Sequence, residues 1–198
     1  METPTRIPTI GMLQSTLEES GLVRLTRNRG VFVRKISVVE ADDIFAVRAS
    51  LEELIGRTLA RCITLAQLKS LNDLSDRMGE AVAAGQMARY TALNFEFHDQ
   101  LALFTGNGKL LDIYRRLVKE LTLFRHQTLA HQETLPVSLA EHQSIIDRIA
   151  AGDGDAAGRA LVAHVTASCK RMHTTHPENP AHDNASLNPH LITQRETS

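Results

Sequence analysis

Apolar side chains recur every three or four residues through 37–172, and this spacing restricts the fold more than any other feature. Leu93, Phe97, Leu101 and Phe104, for example, would line one side of a helix. Aromatic residues make up only 4% of the 198 residues and Trp is absent, so a core must consist mainly of Leu, Ala, Ile and Val. Both observations favour an all-α fold for this part of the chain.

Local signals mark where the helices begin. Three capping boxes place Glu or Gln three residues after Ser or Thr: Ser37/Glu40, Thr64/Gln67 and Ser138/Glu141. Asn107, directly after Gly106, is a further candidate N-cap. Together with the periodicity, these signals predict helices at 38–62, 65–85, 88–105, 108–130, 139–151 and 154–172. A short helix is also predicted for 9–20, ended by Gly21.

The two ends of the chain differ from this helical body. The segment GLVRLTRNRGVFVRK at 21–35 has the alternation of a β-hairpin, with Gly30 at the turn. Residues 1–35 carry six basic and three acidic side chains, whereas the whole chain has a net charge of −1. After Met172 the sequence is rich in Pro, Asn, His, Ser and Thr, which predicts a disordered tail. We therefore expect a basic head at 1–35, a helical domain at 36–173 and a tail at 174–198.

Composition also indicates the compartment. No apolar run approaches the roughly 20 residues of a membrane span, and no signal-like stretch follows Met1. Cys62 and Cys169 form neither a CxxC motif nor a disulfide framework, which is typical of a reducing environment. We expect a cytoplasmic protein with no membrane partner.

Three histidines are predicted to face the interior of the bundle. His98 lies beside the apolar stripe of the third helix, with Asn94 one turn before it. His142 and His164 lie eleven residues before and eleven residues after Asp153, so an antiparallel turn there would bring both imidazoles to one level. Three imidazoles and a side-chain oxygen would form a site for zinc, nickel, manganese or iron. The alternative is three hydrogen-bonded core histidines without a metal.

The remaining histidines are predicted to be solvated surface or tail residues: His126, His131, His173, His176, His182 and His190. A metalloenzyme is a further alternative for the interior site. Glu141 adjoins His142 but faces about 100° away on a helix, which is a poor position for a general base. The sequence contains no HExxH motif and no glycine-rich phosphate loop. The sequence therefore does not favour an enzyme.

Four segments, in order, resemble the FadR branch of the GntR superfamily of bacterial transcription regulators: GLVRLTRNRGVFVRK, EADDIFAVRASLEELIGRTLA, NFEFHDQLALFTGN and EHQSIIDRIAAGDGDAAGRALVAH. Members pair an N-terminal winged helix-turn-helix with an all-helical effector-binding domain, the FCD domain. The resemblance covers about residues 17–172. It implies a six- to seven-helix antiparallel FCD-like bundle after a partial winged helix-turn-helix with a small β-hairpin wing. It also implies a homodimer that binds a double-stranded DNA operator.

The resemblance adds a ligand set to the interior site. The family's D-x-x-F-H motif falls on Asn94 to His98, and its later motif histidines fall on His142 and His164. In the family these residues ligate a divalent metal, here expected to be zinc, nickel or manganese, which commonly helps hold the carboxylate of a small organic acid. Asn94 stands where Asp is usual. A neutral amide should lower metal affinity and repel a bound anion less.

Two arginines are candidates for binding the carboxylate of such an effector. Arg48 lies on the first helix and Arg125 on the fourth, and a guanidinium can bind a carboxylate bidentately. The alternative for Arg48 is an i,i+4 ion pair with Glu52, and the alternative for Arg125 is a solvated helix face.

The head contains the candidate DNA contacts. Arg27, Arg29 and Gly30 resemble the family's R-G wing, and Arg6 and Thr9 are candidates for phosphate or base contacts. The alternative is that RNRG is only a polar hairpin tip. The family's recognition helix fits 5–23 with a one-residue slip and without its arginine. The region before Thr9 is too short for two further helices, so we expect a truncated head, through either a misplaced start or a lost segment.

The leading functional hypothesis is a ligand-responsive DNA-binding transcription regulator. In this hypothesis, metal and acid binding in the helical domain modulates the affinity of a dimer for its operator. The alternative is an effector- and metal-binding module that has lost DNA binding through the truncation.

Overall fold

The computed structural model describes residues 23–26, 30–34, 36–125 and 135–175. In these ranges, an antiparallel pair of strands, β1 (Val23–Thr26) and β2 (Gly30–Val33), precedes six helices. The helices are α1 (Val38–Cys62), α2 (Leu65–Ala83), α3 (Met87–Phe104), α4 (Gly108–Arg125), α5 (Leu135–Ala150) and α6 (Gly154–Thr175). None of these helices combines the length and apolarity that a membrane span needs. The expected all-α body and the hairpin strands are therefore present.

Three helices begin directly after the N-cap residues that the sequence predicts. The Ser37 hydroxyl accepts a hydrogen bond from the backbone N–H of Glu40, and Thr64 and Gln67 form a complete capping box. Before α4, Asn107 Oδ1 accepts from the backbone N–H of Leu110 at 3.1 Å. Each side chain satisfies a backbone donor that the first turn of a helix leaves unpaired.

The predicted start of the fifth helix at residue 139 is wrong. α5 begins at Leu135, and Ser138 is buried within the helix. Pro136 lies in the first turn, where a missing N–H costs nothing, so the helix can start before the capping-box pattern. Glu141 does not cap this helix but bonds to side chains of α6.

The main framework of the bundle is the pair α1 and α6, which share the most extensive helix contact. Small residues allow this close approach. A Cβ on Gly56 would lie 2.7 Å from the backbone carbonyl carbon of Ala157, and a Cβ on Gly158 would lie 3.1 Å from the backbone oxygen of Glu53. α5 packs on α6 after a tight turn in which Gly152 has a φ of +74°.

The core contains two apolar clusters. The larger cluster lies between all six described helices and includes the fully buried Phe97, Leu101 and Ile145. The smaller cluster, which includes Ile36, Leu121 and Met172, joins the first turns of α1 to α4 and to the second half of α6.

Several predictions fall at or outside the limits of the described ranges. α6 ends at Thr175, so the helix extends two residues into the predicted tail. The predicted helix at 9–20, residues 126–130 of the predicted fourth helix and the tail beyond 175 lie outside the described residues.

Candidate metal centre

The structure brings together the three histidines that the sequence places inside the bundle. His98 of α3, His142 of α5 and His164 of α6 are 3%, 0% and 4% exposed. One ring nitrogen from each can be chosen so that all three lie within 4.8 Å of one another. The ring centroids of His142 and His164 are 4.6 Å apart, because the α5–α6 turn puts the two residues at one level.

Carboxylates face the outer nitrogens of two of these imidazoles. Nδ1 of His164 lies 2.7 Å from Oε2 of Glu141, to which it donates a hydrogen bond. Nδ1 of His98 lies 3.2 Å from Oε2 of Glu52, with an orientation outside hydrogen-bond geometry, so this contact is electrostatic. Both carboxylates favour the tautomer that carries its proton on Nδ1. A lone pair is then left on each Nε2.

The two Nε2 atoms point at each other. They lie 3.1 Å apart, with the rings of His98 and His164 nearly parallel. Two lone pairs at this distance repel each other unless a proton or a cation lies between them. Imidazole nitrogens bound at about 2.1 Å to one ion are about 3.0–3.4 Å apart in octahedral or tetrahedral geometry. The observed separation therefore fits two ligands of one metal ion.

His142 supplies the third candidate ligand. Both of its ring nitrogens are buried without a hydrogen-bond partner among the residues that the structure describes. An unsatisfied buried polar group costs about 1–3 kcal/mol. Burial, followed by the neighbouring His164 and His98, holds the pKa of His142 well below its usual value. The imidazole is therefore neutral, which is the form that ligates a metal.

Glu52 belongs to a buried charged network that sequence reasoning did not assign to the site. Arg48 Nε donates a hydrogen bond to its Oε1 at 2.6 Å, and the Tyr114 hydroxyl donates to the same oxygen at 3.3 Å. Burial alone would raise the pKa of Glu52, but the interactions with Arg48 and then with His98 outweigh it and lower the pKa. The carboxylate beside His98 is thus ionised.

Glu141 has the same role beside His164. Arg171 donates to both of its oxygens at 3.1 and 3.0 Å, and His164 donates to one. Burial opposes ionisation, yet the hydrogen bonds from His164 and Arg171 lower the pKa of Glu141 to about 2. The sequence could have singled out Glu141, because this residue lies directly before the inward-facing His142. It could not show that Glu141 would pair with His164 on α6.

The sequence and fold of this body match a known family. The family model of the FCD domain matches residues 43–167. The chain belongs to the FCD domain family. The HTH-type transcriptional repressor RspR of Escherichia coli K12 is 24% identical over 163 residues, which cover 82% of this chain and 72% of that relative. The Nta operon transcriptional regulator of Aminobacter aminovorans is 27% identical over 130 residues, or 62% of this chain and 60% of that relative.

Solved structures share the FCD fold. Escherichia coli McbR/YncC superposes with a TM-score of 0.74 at 13% identity, over 84% of this chain and 81% of that one. A GntR regulator from Rhodococcus sp. RHA1 superposes with a TM-score of 0.68 at 23% identity, over 84% and 80% of the two chains. The chain therefore carries an FCD domain, and the relatives that it matches in sequence are named as HTH-type transcriptional regulators.

Of the other residues predicted to form the site of this FCD protein, the structure describes the side chains of Asn94 and Arg48 but not that of Arg125. Asn94 is half-buried one turn before His98 on α3. Arg48 is 4% exposed and forms the ion pair with Glu52 that was its alternative assignment. Its effector role stays a prediction. Arg125 ends α4, and its side chain is not described.

The predicted DNA contacts lie mostly outside the described residues. Gly30 begins β2, where it pairs with Thr26. Arg6, Thr9, Arg27 and Arg29 are not described.

A surface cleft of about 390 Å³ lies between α3 and α4. Its lining includes Tyr114, which also donates to Glu52 inside the FCD bundle. Neither Arg48 nor any histidine of the cluster is part of the lining, which combines apolar side chains such as Val118 with charged ones such as Arg115 and Lys119. The cleft is therefore distinct from the imidazole cluster.

Proposed function

We propose that this FCD-domain regulator binds a divalent metal and a small organic acid in its helical body, and that this binding modulates its affinity for a DNA operator. The observation that carries the proposal is the buried cluster of three imidazoles. Two Nε2 atoms lie 3.1 Å apart, and both nitrogens of His142 lack a hydrogen-bond partner among the described residues. One cation bound by both Nε2 atoms and by one nitrogen of His142 would explain why these three imidazoles converge.

The ligands in this proposal are His98, His142 and His164, with Asn94 as the fourth. Zinc, nickel and manganese are the expected ions, because neutral imidazoles suit zinc and nickel, and an amide oxygen suits manganese. The metal would supply a positive charge that attracts the carboxylate of an acid. Asn94 leaves that charge less neutralised than an aspartate would.

Metal binding can be tested on purified chain stripped with a chelator. We expect zinc, nickel or manganese to raise the melting temperature and small carboxylic acids to raise it further. His98→Ala and His164→Ala should abolish both shifts. A wild-type protein with no metal-dependent shift, or variants with the wild-type shift, would refute the proposed site.

DNA binding is assigned to the head, and the contacts of Arg34 support a link between head and body. Arg34 lies directly after β2 and pairs with Glu40 of α1. Its Nη1 also lies 3.3 Å from Oε2 of Glu120 on α4. These ion pairs attach the exit of the hairpin to two helices of the FCD domain, so movement of either helix would be transmitted to the hairpin.

A gel shift with the DNA next to the protein's own gene tests the operator role. We expect a discrete complex at moderate salt, with Arg27→Ala and Arg29→Ala weakening it at least fivefold. Arg159→Ala, an exposed position on α6, is the matched control and should leave affinity unchanged. The alternative, a binding module without DNA recognition, predicts no sequence preference in any variant. Sedimentation of the same protein tests the expected homodimer.

A further inference from the structure

A second group of metal-ligating side chains lies away from the imidazole cluster. Asp42 near the start of α1 meets Cys169 and His173 near the end of α6. One carboxylate oxygen, Sγ and one imidazole nitrogen lie within 4.8 Å of one another. The sequence did not predict this group, because Cys169 has no CxxC partner and His173 was assigned to the surface.

The three donors come from two helices with suitable spacing. Cys169 and His173 are four residues apart on α6, so they lie on one face, one turn apart. Both contact the same oxygen of Asp42: Sγ lies 3.4 Å from Oδ1 and Nε2 lies 2.8 Å from it. Donors around a tetrahedral zinc are about 3.4–3.6 Å apart, so small side-chain movements would admit an ion.

The protonation state of the Cys169 thiol argues against a role as a nucleophile or redox sensor. Burial, followed by Asp42, raises the pKa of Cys169 to about 12. A thiol with this pKa is protonated at neutral pH and is a poor nucleophile or redox sensor. A metal ion would replace the thiol proton, which leaves as one H⁺ to solvent for each metal–thiolate bond formed.

We propose that Asp42, Cys169 and His173 form a second, thiolate-containing site for Zn²⁺ or a similar borderline-soft divalent ion. One thiolate, one imidazole and one carboxylate are the ligand types that zinc prefers, and a water molecule would complete the tetrahedron. An ion held there ties the last turns of α6 to the first turns of α1. α1 directly follows the hairpin, so the site joins the end of the helical body to the helix that carries the head.

Cobalt distinguishes this site from the imidazole cluster, because only a Co²⁺–thiolate bond gives an intense charge-transfer band in the near ultraviolet. Full-length protein, stripped of metal and kept reduced with a phosphine, should develop this band on addition of Co²⁺ and saturate at about one equivalent for the site. Zn²⁺ should then remove it. Cys169→Ser should abolish the band, and His173→Gln should weaken Co²⁺ binding at least tenfold.

Cys62→Ser is the matched control, because Cys62 is the exposed cysteine at the end of α1 and should not contribute. His98→Ala should keep the band while it removes the imidazole site, so failure of one site is distinguishable from failure of the other. Circular dichroism of each variant checks that the fold is retained. Absence of the band in wild type, its persistence in Cys169→Ser, or its loss in Cys62→Ser would overturn the proposal.

Discussion

At the scale of single residues, the interior of this FCD domain holds polar groups that a purely structural core would not retain. His142 is fully buried and its ring nitrogens lack hydrogen-bond partners among the described residues, so it costs free energy in the metal-free protein. This cost supports the proposed role of His142 as a metal ligand.

Replacement of this histidine should separate stability from metal binding. In His142→Leu, an apolar side chain of similar size removes the unsatisfied nitrogens, so we expect the free energy of unfolding in chelator to rise by about 1–3 kcal/mol. Stabilisation by added metal should fall sharply, as measured by denaturant titration with and without metal. A variant that is less stable in chelator yet still stabilised by metal would contradict this role.

A second residue-scale prediction concerns the carboxylate beside His164. Glu141→Gln keeps the size of the side chain but weakens the hydrogen bond from Nδ1, so we expect metal affinity to fall about 10–100-fold. The control is Glu53→Gln, which changes a half-exposed carboxylate paired with Arg57 on α1. Competition with a metal indicator measures both variants. Equal affinities in the two variants would show that Glu141 does not orient the ligand.

At the scale of helices, the glycines of α1 and α6 set the distance between the two longest elements of the bundle. In Gly56→Ala the new methyl group would meet backbone atoms of Ala157 and Gly158 at 2.7–2.8 Å, which side chains cannot relieve. We expect a loss of about 1–3 kcal/mol of unfolding free energy.

Gly79→Ala is the matched helix-interior control for this prediction. Its Cβ would lie 3.5 Å from Leu139 Cδ2, an ordinary contact, so the gain in helix propensity should stabilise the protein by about 0.5–1 kcal/mol. Thermal or denaturant unfolding gives both values. A stabilising Gly56→Ala would mean that α1 and α6 can separate without cost.

At the scale of the whole molecule, the buried histidines make stability depend on pH. Burial, partly offset by Glu52, lowers the pKa of His98 from 6.5 to about 4, and the pKa of His142 is also lowered. Between pH 6.5 and about 4, His98 binds a proton in the unfolded chain but not in the folded chain, and the lowered pKa of His142 acts in the same direction. The metal-free protein should therefore lose stability as pH falls from about 6.5 to about 4, by up to about 1.4 kcal/mol per pH unit for each histidine.

Denaturant titrations at several pH values measure this slope. His142→Leu should show a shallower slope than wild type over the same range, because one of the excluded protonation sites is gone. Unfolding free energies that stay level or rise on acidification would contradict the assignment of neutral, buried imidazoles.

The sequence alone determined the features that depend on short stretches of chain. Periodicity and capping residues predicted the six helices with most of their ends, since each helix is stabilised by its own backbone bonds and one apolar face. Counting from Asp153 also predicted that His142 and His164 would meet. In an antiparallel helix pair, two residues that are equally many positions from the turn lie at the same height, because every helical residue adds the same rise.

Only the tertiary structure decided which side chains from different helices became partners. Glu52 beside His98, Glu141 beside His164, and Asp42 beside Cys169 and His173 depend on the rotation and separation of packed helices. Those quantities follow from interlocking side chains and from the close α1–α6 contact at the glycines. No single helix contains that information, so its sequence pattern could identify an inward-facing histidine but not the carboxylate that would orient it.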